Sequence, residues 1–173
     1  MKKFTTEQLV FFSIGGLTIL ALIFIVIFSL SEQKQTQGQT PVASYRVSDT
    51  EKPKITTGEV ESDLGKMKVK DEKSAQFILE NTGNKPLQLF KISSSCDCTL
   101  GQITIGETKS PEFAMHANNT WVGSVEPGKR AILSVIYRPY IMPVKGPVTR
   151  DVYVQTNDPE KPQLTFTVKA DVE

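Results

Sequence analysis

Leu164-Thr165-Phe166-Thr167-Val168-Lys169-Ala170 sets an apolar side chain at every second position, with Thr or Lys between. Side chains alternate across a strand with period two, so this stretch has one apolar and one polar face. The same rhythm recurs upstream. Val148, Val152 and Val154 alternate with Asp151, Tyr153 and Gln155, and Asn157-Asp158-Pro159 through Pro162 joins these two strands. Ala131, Leu133, Val135 and Tyr137 line one face of a further strand, with Ile132, Ser134 and Ile136 on the other. The turn Glu126-Pro127-Gly128-Lys129 precedes it, with glycine supplying positive φ. Ala75, Phe77 and Leu79 alternate with Gln76 and Glu80, and Asn81-Thr82-Gly83-Asn84 turns the chain into Leu87–Ile92. No helical period interrupts this region. About seven short strands in roughly 120 residues predict an all-β sandwich over residues 54–173.

The amino-terminal end reads differently. Leu9 to Leu30 is a run of 22 uncharged residues, 16 of them Leu, Ile, Val or Phe. A helix of that length spans roughly 33 Å, close to the hydrocarbon thickness of a bilayer. The apolar core is longer than that of a cleaved signal peptide, and no small-residue cleavage pattern follows Leu30. The expectation is a single-pass transmembrane helix, with residues 1–30 forming a short cytoplasmic N-terminus and the anchor. Lys2 and Lys3 precede the run, which predicts a cytoplasmic N-terminus and an extracytoplasmic C-terminal domain in the cell membrane. Residues 31–53, rich in Gln, Ser and Thr, read as a flexible tether.

Charge narrows the partner classes. The chain carries 20 basic and 19 acidic residues; with Lys2, Lys3 and Glu7 set aside, 18 of each remain. No basic stripe stands out, which argues against nucleic acid as a partner.

The chemistry-bearing residues are few. Cys96 and Cys98 are the only cysteines, in Ser94-Ser95-Cys96-Asp97-Cys98-Thr99, and the only histidine, His116, follows Met115. Three readings of the pair are open. The cysteines are inert or packing residues. They form a disulfide, for which an extended i, i+2 pair lies at the upper edge of bridging distance unless the chain bends, and such a bond suits a thiol-redox role. Or they converge with Met115 and His116 on a metal. Thiolate, thioether and imidazole favour Cu(I), and zinc is the other candidate, with Cys96, Cys98, His116 and Asp97. A Cys98–His116 dyad lacks a recognisable orienting residue or oxyanion loop, and no phosphate-cradling glycine loop occurs, so no enzyme is expected. Gly106–Thr120, holding Phe113, Met115 and His116, reads as a long loop closed by Trp121.

Asn81-Thr82-Gly83, Cys96-Asp97-Cys98-Thr99, Pro127-Gly128 and Thr156-Asn157-Asp158-Pro159 together resemble a widespread bacterial family of uncharacterised Ig-like domains. That family is related to Hydin-type and major-sperm-protein-like sandwiches of seven strands. The resemblance covers residues 54–173. It departs at Asp97, where the family usually has glycine, and at Ala114 within Ser110–His116, a segment similar to a subgroup with a Phe-Gly-Met-His-like loop before the Pro-Gly turn. It implies a seven-stranded Ig-like β-sandwich, exported and often membrane-anchored, with no enzymatic activity to carry over. The reading that follows is a non-enzymatic scaffolding or protein-binding module, held in the membrane by residues 9–30 and engaging another cell-envelope protein. The alternatives are Cu(I) or zinc handling by Cys96, Cys98, Met115 and His116, and thiol-redox chemistry at the cysteine pair.

Overall fold

The computed structural model describes residues 15–24, 41–117 and 120–173. The chain divides into two units, Met1–Gln39 and Thr40–Glu173. Residues 15–24 form helix α1. At 1.5 Å per residue, ten residues reach about 15 Å, roughly half a hydrocarbon core. Among the described residues no helix is long and apolar enough to cross a membrane. That corrects the expected transmembrane helix over 9–30, whose flanks 9–14 and 25–30 lie outside the described residues. An apolar run supplies hydropathy, but a span also needs unbroken helix of about 20 residues. The single-pass location, with its cytoplasmic N-terminus and extracytoplasmic domain, falls with the helix on which it rested.

Ten strands build two five-stranded sheets. The first runs β1 (Ile55–Thr57), β3 (Lys73–Asn81), β8 (Arg130–Tyr137), β5 (Thr99–Ile105), β6 (Thr108–Lys109) in spatial order. The second runs β2 (Glu61–Met67), β10 (Gln163–Val172), β9 (Gly146–Thr156), β4 (Leu87–Ser94), β7 (Val122–Val125). Pairing is antiparallel except for β2 on β10. A seven-strand count falls short because β1, β6 and β7 hold two to four residues each, too few for a visible alternation. β5 hides for another reason: Thr99, Leu100 and Gly101 are all buried, so its start shows no period of two.

The alternating faces form the core. Phe77 of β3 and Phe166 of β10 meet between the sheets, ring centroids 5.2 Å apart, among Leu79, Leu89, Ile103 and Leu133. Gly101 is required there, because a Cβ would come within 2.8 Å of Val152 Cγ1 and 2.9 Å of Ile92 Cγ2. A second, smaller cluster holds Met67, Cys96, Cys98, Tyr137, Ala170 and Val172.

Two sheet edges are guarded. On β2, Lys73 Nζ donates to the Leu64 and Lys66 carbonyls at 2.7 and 2.8 Å, and Gly65 N donates to Asp63 Oδ1 at 2.7 Å. On β1, Ile55 N donates to Asp158 Oδ2 at 2.8 Å and Lys161 Nζ to the Ile55 carbonyl at 3.3 Å. Charged side chains seated on edge strands hinder pairing with another chain. Residues 41–53, part of the expected tether, bond to the sandwich: Ala43 N donates to Gln88 Oε1 at 2.7 Å and Lys52 N to Asn84 Oδ1 at 2.9 Å.

Candidate functional site

Three of the four family-like motifs, those of Asn81, Pro127 and Asn157, gather at one end of the sandwich, where they hold backbone together. Asn81 is fully buried; its Nδ2 donates to the Lys85 and Val125 carbonyls, both at 2.8 Å, and its Oδ1 accepts from Gly83 N at 3.0 Å. Gly83 has backbone against it, since a Cβ would lie 2.4 Å from Lys52 O. Gly128 N donates to the Asn81 carbonyl at 2.8 Å, and Lys129 N closes the turn on Glu126 O at 2.9 Å. Asn157 Oδ1 accepts from Gln88 N at 2.8 Å. Buried Asp158 accepts from Ile55 N at 2.8 Å and Glu160 N at 2.9 Å. A buried amide or carboxylate is tolerated when backbone donors and acceptors satisfy it. These residues weld four loops and explain the motif by structure, without chemistry.

The cysteines lie at the opposite end. Thr99 N donates to the Cys96 carbonyl at 3.2 Å, so Cys96–Thr99 is a tight turn. That bend brings the two Cα atoms to 5.2 Å, and Cys96 and Cys98 form a disulfide. The turn is tethered on both flanks. Ser95 N donates to the Asp151 carbonyl, Asp151 N donates to Ser95 Oγ, each at 2.9 Å, and Arg138 N donates to the Cys98 carbonyl at 2.8 Å. Upstream, β4 slips register between Phe90 and Ser93, and Lys91 takes φ 46° there. Positive φ is unfavourable for a residue with a Cβ, and the slip re-aims the strand end that carries the turn.

Around the bond the polar groups are unevenly served. Thr99 Oγ1 lies 3.4 Å from Cys96 Sγ and 3.9 Å from Cys98 Sγ. Tyr137, the Cα partner of Thr99 across β5 and β8, is fully buried; its hydroxyl is within the influence of Arg150, itself a donor, and finds no acceptor among the described residues. Arg150 Nε is also buried without one. The Arg150 guanidinium carbon sits 5.9 Å from the Tyr137 ring centroid. Burial pushes the Tyr137 hydroxyl above its usual range, and the charge and hydrogen bonding of Arg150 oppose this. Next door, Arg138 is clamped: Nη1 and Nη2 donate to Glu112 at 2.7 and 3.0 Å, and Nε to Glu72 at 2.6 Å. Glu112 first, then Glu72, hold the guanidinium proton tighter than usual. The loop leaving Arg138 presents Tyr140, Ile141 and Met142, each close to half exposed.

Of the four expected metal residues, the structure joins two and separates their character from the others. Cys98 is fully buried and Cys96 nearly so, both oxidised, whereas Met115 is 47% exposed on a turn with exposed His116. Among the described residues no group of three or more His, Cys, Asp or Glu is placed to hold a metal. A disulfide offers no thiolate, so Cu(I) or zinc ligation here requires the reduced pair. The expected long loop is partly ordered as β6 and as a bridge from Phe113 to Gly101, with Trp121 against Phe113 at 5.9 Å; residues 118 and 119 lie outside the described residues. Sequence reasoning missed Arg150 and the Tyr140–Met142 run. The latter carries a readable signal, three large apolar residues in a loop bounded by Pro139 and Pro143.

Residues 55–113, about a third of the chain, match a family model described as a protein of unknown function, DUF1573. The matched stretch includes Asn81, Gly83 and both cysteines and stops short of Met115. No curated protein matches the chain. A protein of unknown function from Porphyromonas gingivalis W83 is similar in structure, with TM-score 0.53, 17% identity, and coverage of 72% of this chain and 49% of that one. So is a family 123 glycoside hydrolase from Clostridium perfringens, at TM-score 0.50 and 13% identity over 70% of this chain and 27% of the enzyme. The PapD-like domain 7 of human CEP192 matches at TM-score 0.47 and 14% identity, over 78% of this chain and 97% of that domain. The likeness is one of fold. This chain spans about half of the first protein and about a quarter of the hydrolase, so their activities do not transfer.

Proposed function

We propose that this chain is a non-catalytic protein-binding β-sandwich module whose contact surface is the β8–β9 loop. The observation behind this reading is the run Tyr140, Ile141 and Met142, with exposures of 48, 44 and 50%. Single exposed apolar residues are ordinary, but three in succession on one loop mark an interaction site. Tyr and Met are also enriched at interface cores. The loop is held at its root by Arg138, gripped by Glu72 and Glu112, so the apolar tip is presented from a fixed base with a charged rim. The fitting partner is a protein with an apolar recess bordered by polar groups. Asn81, Asn157 and Asp158, the buried polar residues at the far end, are committed to backbone and leave no convergent catalytic set there. The test is site-specific photo-crosslinking in the native host, with the probe at Ile141 or, as control, at exposed Gln76. A discrete adduct at Ile141, absent at Gln76 and lost in a Tyr140→Ser, Met142→Ser background, supports the reading. Equal adducts at both positions, or none at Ile141, would overturn it.

A further inference from the structure

The disulfide contributes little as a staple. A cross-link restrains the unfolded chain in proportion to the loop it closes, and two residues of separation is nearly the shortest loop possible. It ties one turn to itself and joins no two strands, while the sheets around it are already in register. Meanwhile the Tyr137 hydroxyl, in the small core that encloses the bond, finds no acceptor, and neither does the buried Nε of Arg150, whose guanidinium lies by the Tyr137 ring. Unpaired buried donors are costly and rare in folded proteins, so a pair of them beside one bond calls for an acceptor. The bonded sulfurs are poor acceptors; a sulfur that has gained an electron pair is a strong one.

We propose that Cys96–Cys98 is a redox-active bond that exchanges with an external dithiol, Cys96 being the sulfur attacked and Tyr137 and Arg150 the donors that receive the released Cys98 sulfur. Cys96 is the more exposed of the two, and Cys98 is fully enclosed. The donor's thiolate bonds to Cys96 Sγ as the Cys96–Cys98 bond breaks, and the electron pair of that bond leaves with Cys98 Sγ. The donor's second thiol then attacks the donor sulfur of the mixed disulfide and releases Cys96, which takes up a proton. Two electrons pass to this domain, and the donor departs as a disulfide. Tyr137 and Arg150 touch neither reductant nor attacking sulfur; they position and stabilise the leaving one.

Dithiothreitol and glutathione redox buffers serve as probes on the full chain, with alkylation and mass spectrometry as readout and the thermal melt as control for folding. The expected result is reversible reduction without loss of the folded melt. Free Cys96 in Cys98→Ser should react with glutathione disulfide at least about tenfold faster than free Cys98 in Cys96→Ser. Tyr137→Phe should shift the equilibrium toward the disulfide by about fivefold with the folded melt kept or raised, and Arg150→Met in the same direction. A bond that resists dithiothreitol until the domain unfolds would sink the proposal. So would equal reactivity of the two cysteines, or an equilibrium that neither substitution moves.

Discussion

At the Asn81–Asp158 end of the sandwich the buried amides and carboxylate meet backbone donors and acceptors, whereas at the Cys96–Cys98 end the Tyr137 hydroxyl and Arg150 Nε meet none. Both ends are capped by loops between the same two sheets, so fold alone does not impose the difference. The first end follows the rule that polar groups taken from water must be paired, and it gains rigidity. The second departs from it beside the chain's single oxidisable pair. Among the described residues the buried side-chain polar groups without a partner fall at this end, which points to it as the place where stability gives way to function.

The largest effect is expected between the ends, where they share one core. Phe166→Ala removes a fully buried ring in contact with Phe77 and should cost about 3–5 kcal/mol in chemical denaturation. Amide exchange should show both ends losing protection together. A loss under about 1 kcal/mol, or opening of one end alone, would break the picture of a common core. Asp158→Ala comes next. It strands the Ile55 and Glu160 amides, at roughly 1–2 kcal/mol each, for a total of about 2–4. The matching change at the other end should run the opposite way: Tyr137→Phe deletes a buried hydroxyl that finds no acceptor, and the oxidised protein should gain up to about 1 kcal/mol. A cost equal to that of Asp158→Ala would show that both ends are fully paired in solution. Lys91→Gly, at the slip in β4 that feeds the disulfide turn, should gain about 0.5–1 kcal/mol by removing the Cβ from a positive-φ position.

Surface ion pairs should separate the ends least. Lys85, Lys52 and Lys66 hold Glu51, Glu160 and Glu173 below the ordinary carboxylate value of 4.5. A carboxyl with a depressed folded pKa stabilises the fold fully above its unfolded value, and loses that contribution as pH falls through the folded one. The melt should therefore be flat above pH 4.5 and decline below it, with the decline blunted in high salt because these groups are exposed. A decline beginning well above pH 4.5 would point to a different titrating group.

How much of this was legible in the sequence follows from what periodicity encodes. β3, β8, β9 and β10 each bury one face and wet the other, so their alternation predicts them and their inward residues Phe77, Leu133, Val152 and Phe166. β2 escaped because Glu61-Ser62-Asp63-Leu64-Gly65-Lys66-Met67 is an edge strand whose charges guard it, which reads as loop. The nearness of the cysteines was plain, and so was the need for a bend. The bond itself depended on a turn hydrogen bond from Thr99 to Cys96 that residue types do not encode. Tyr137 was legible as an inward residue but its unmet hydroxyl was not, since pairing depends on neighbours from β5 and β9 that are distant in sequence. The apolar run over 9–30 shows the converse: composition announced a membrane span, and among the described residues no helix is long and apolar enough to make one.

The lysine that sits across the β2 carbonyls has a consequence for crowded solutions. A β-sandwich with an open seven-residue border is a template on which copies of itself can polymerise, strand upon strand, into fibres. Here Lys73 reaches over from the other sheet to occupy the Leu64 and Lys66 oxygens, and Asp63 occupies the Gly65 amide, so an incoming strand must first displace both side chains. The barrier to fibrillisation along that border rests on one ammonium and one carboxylate group.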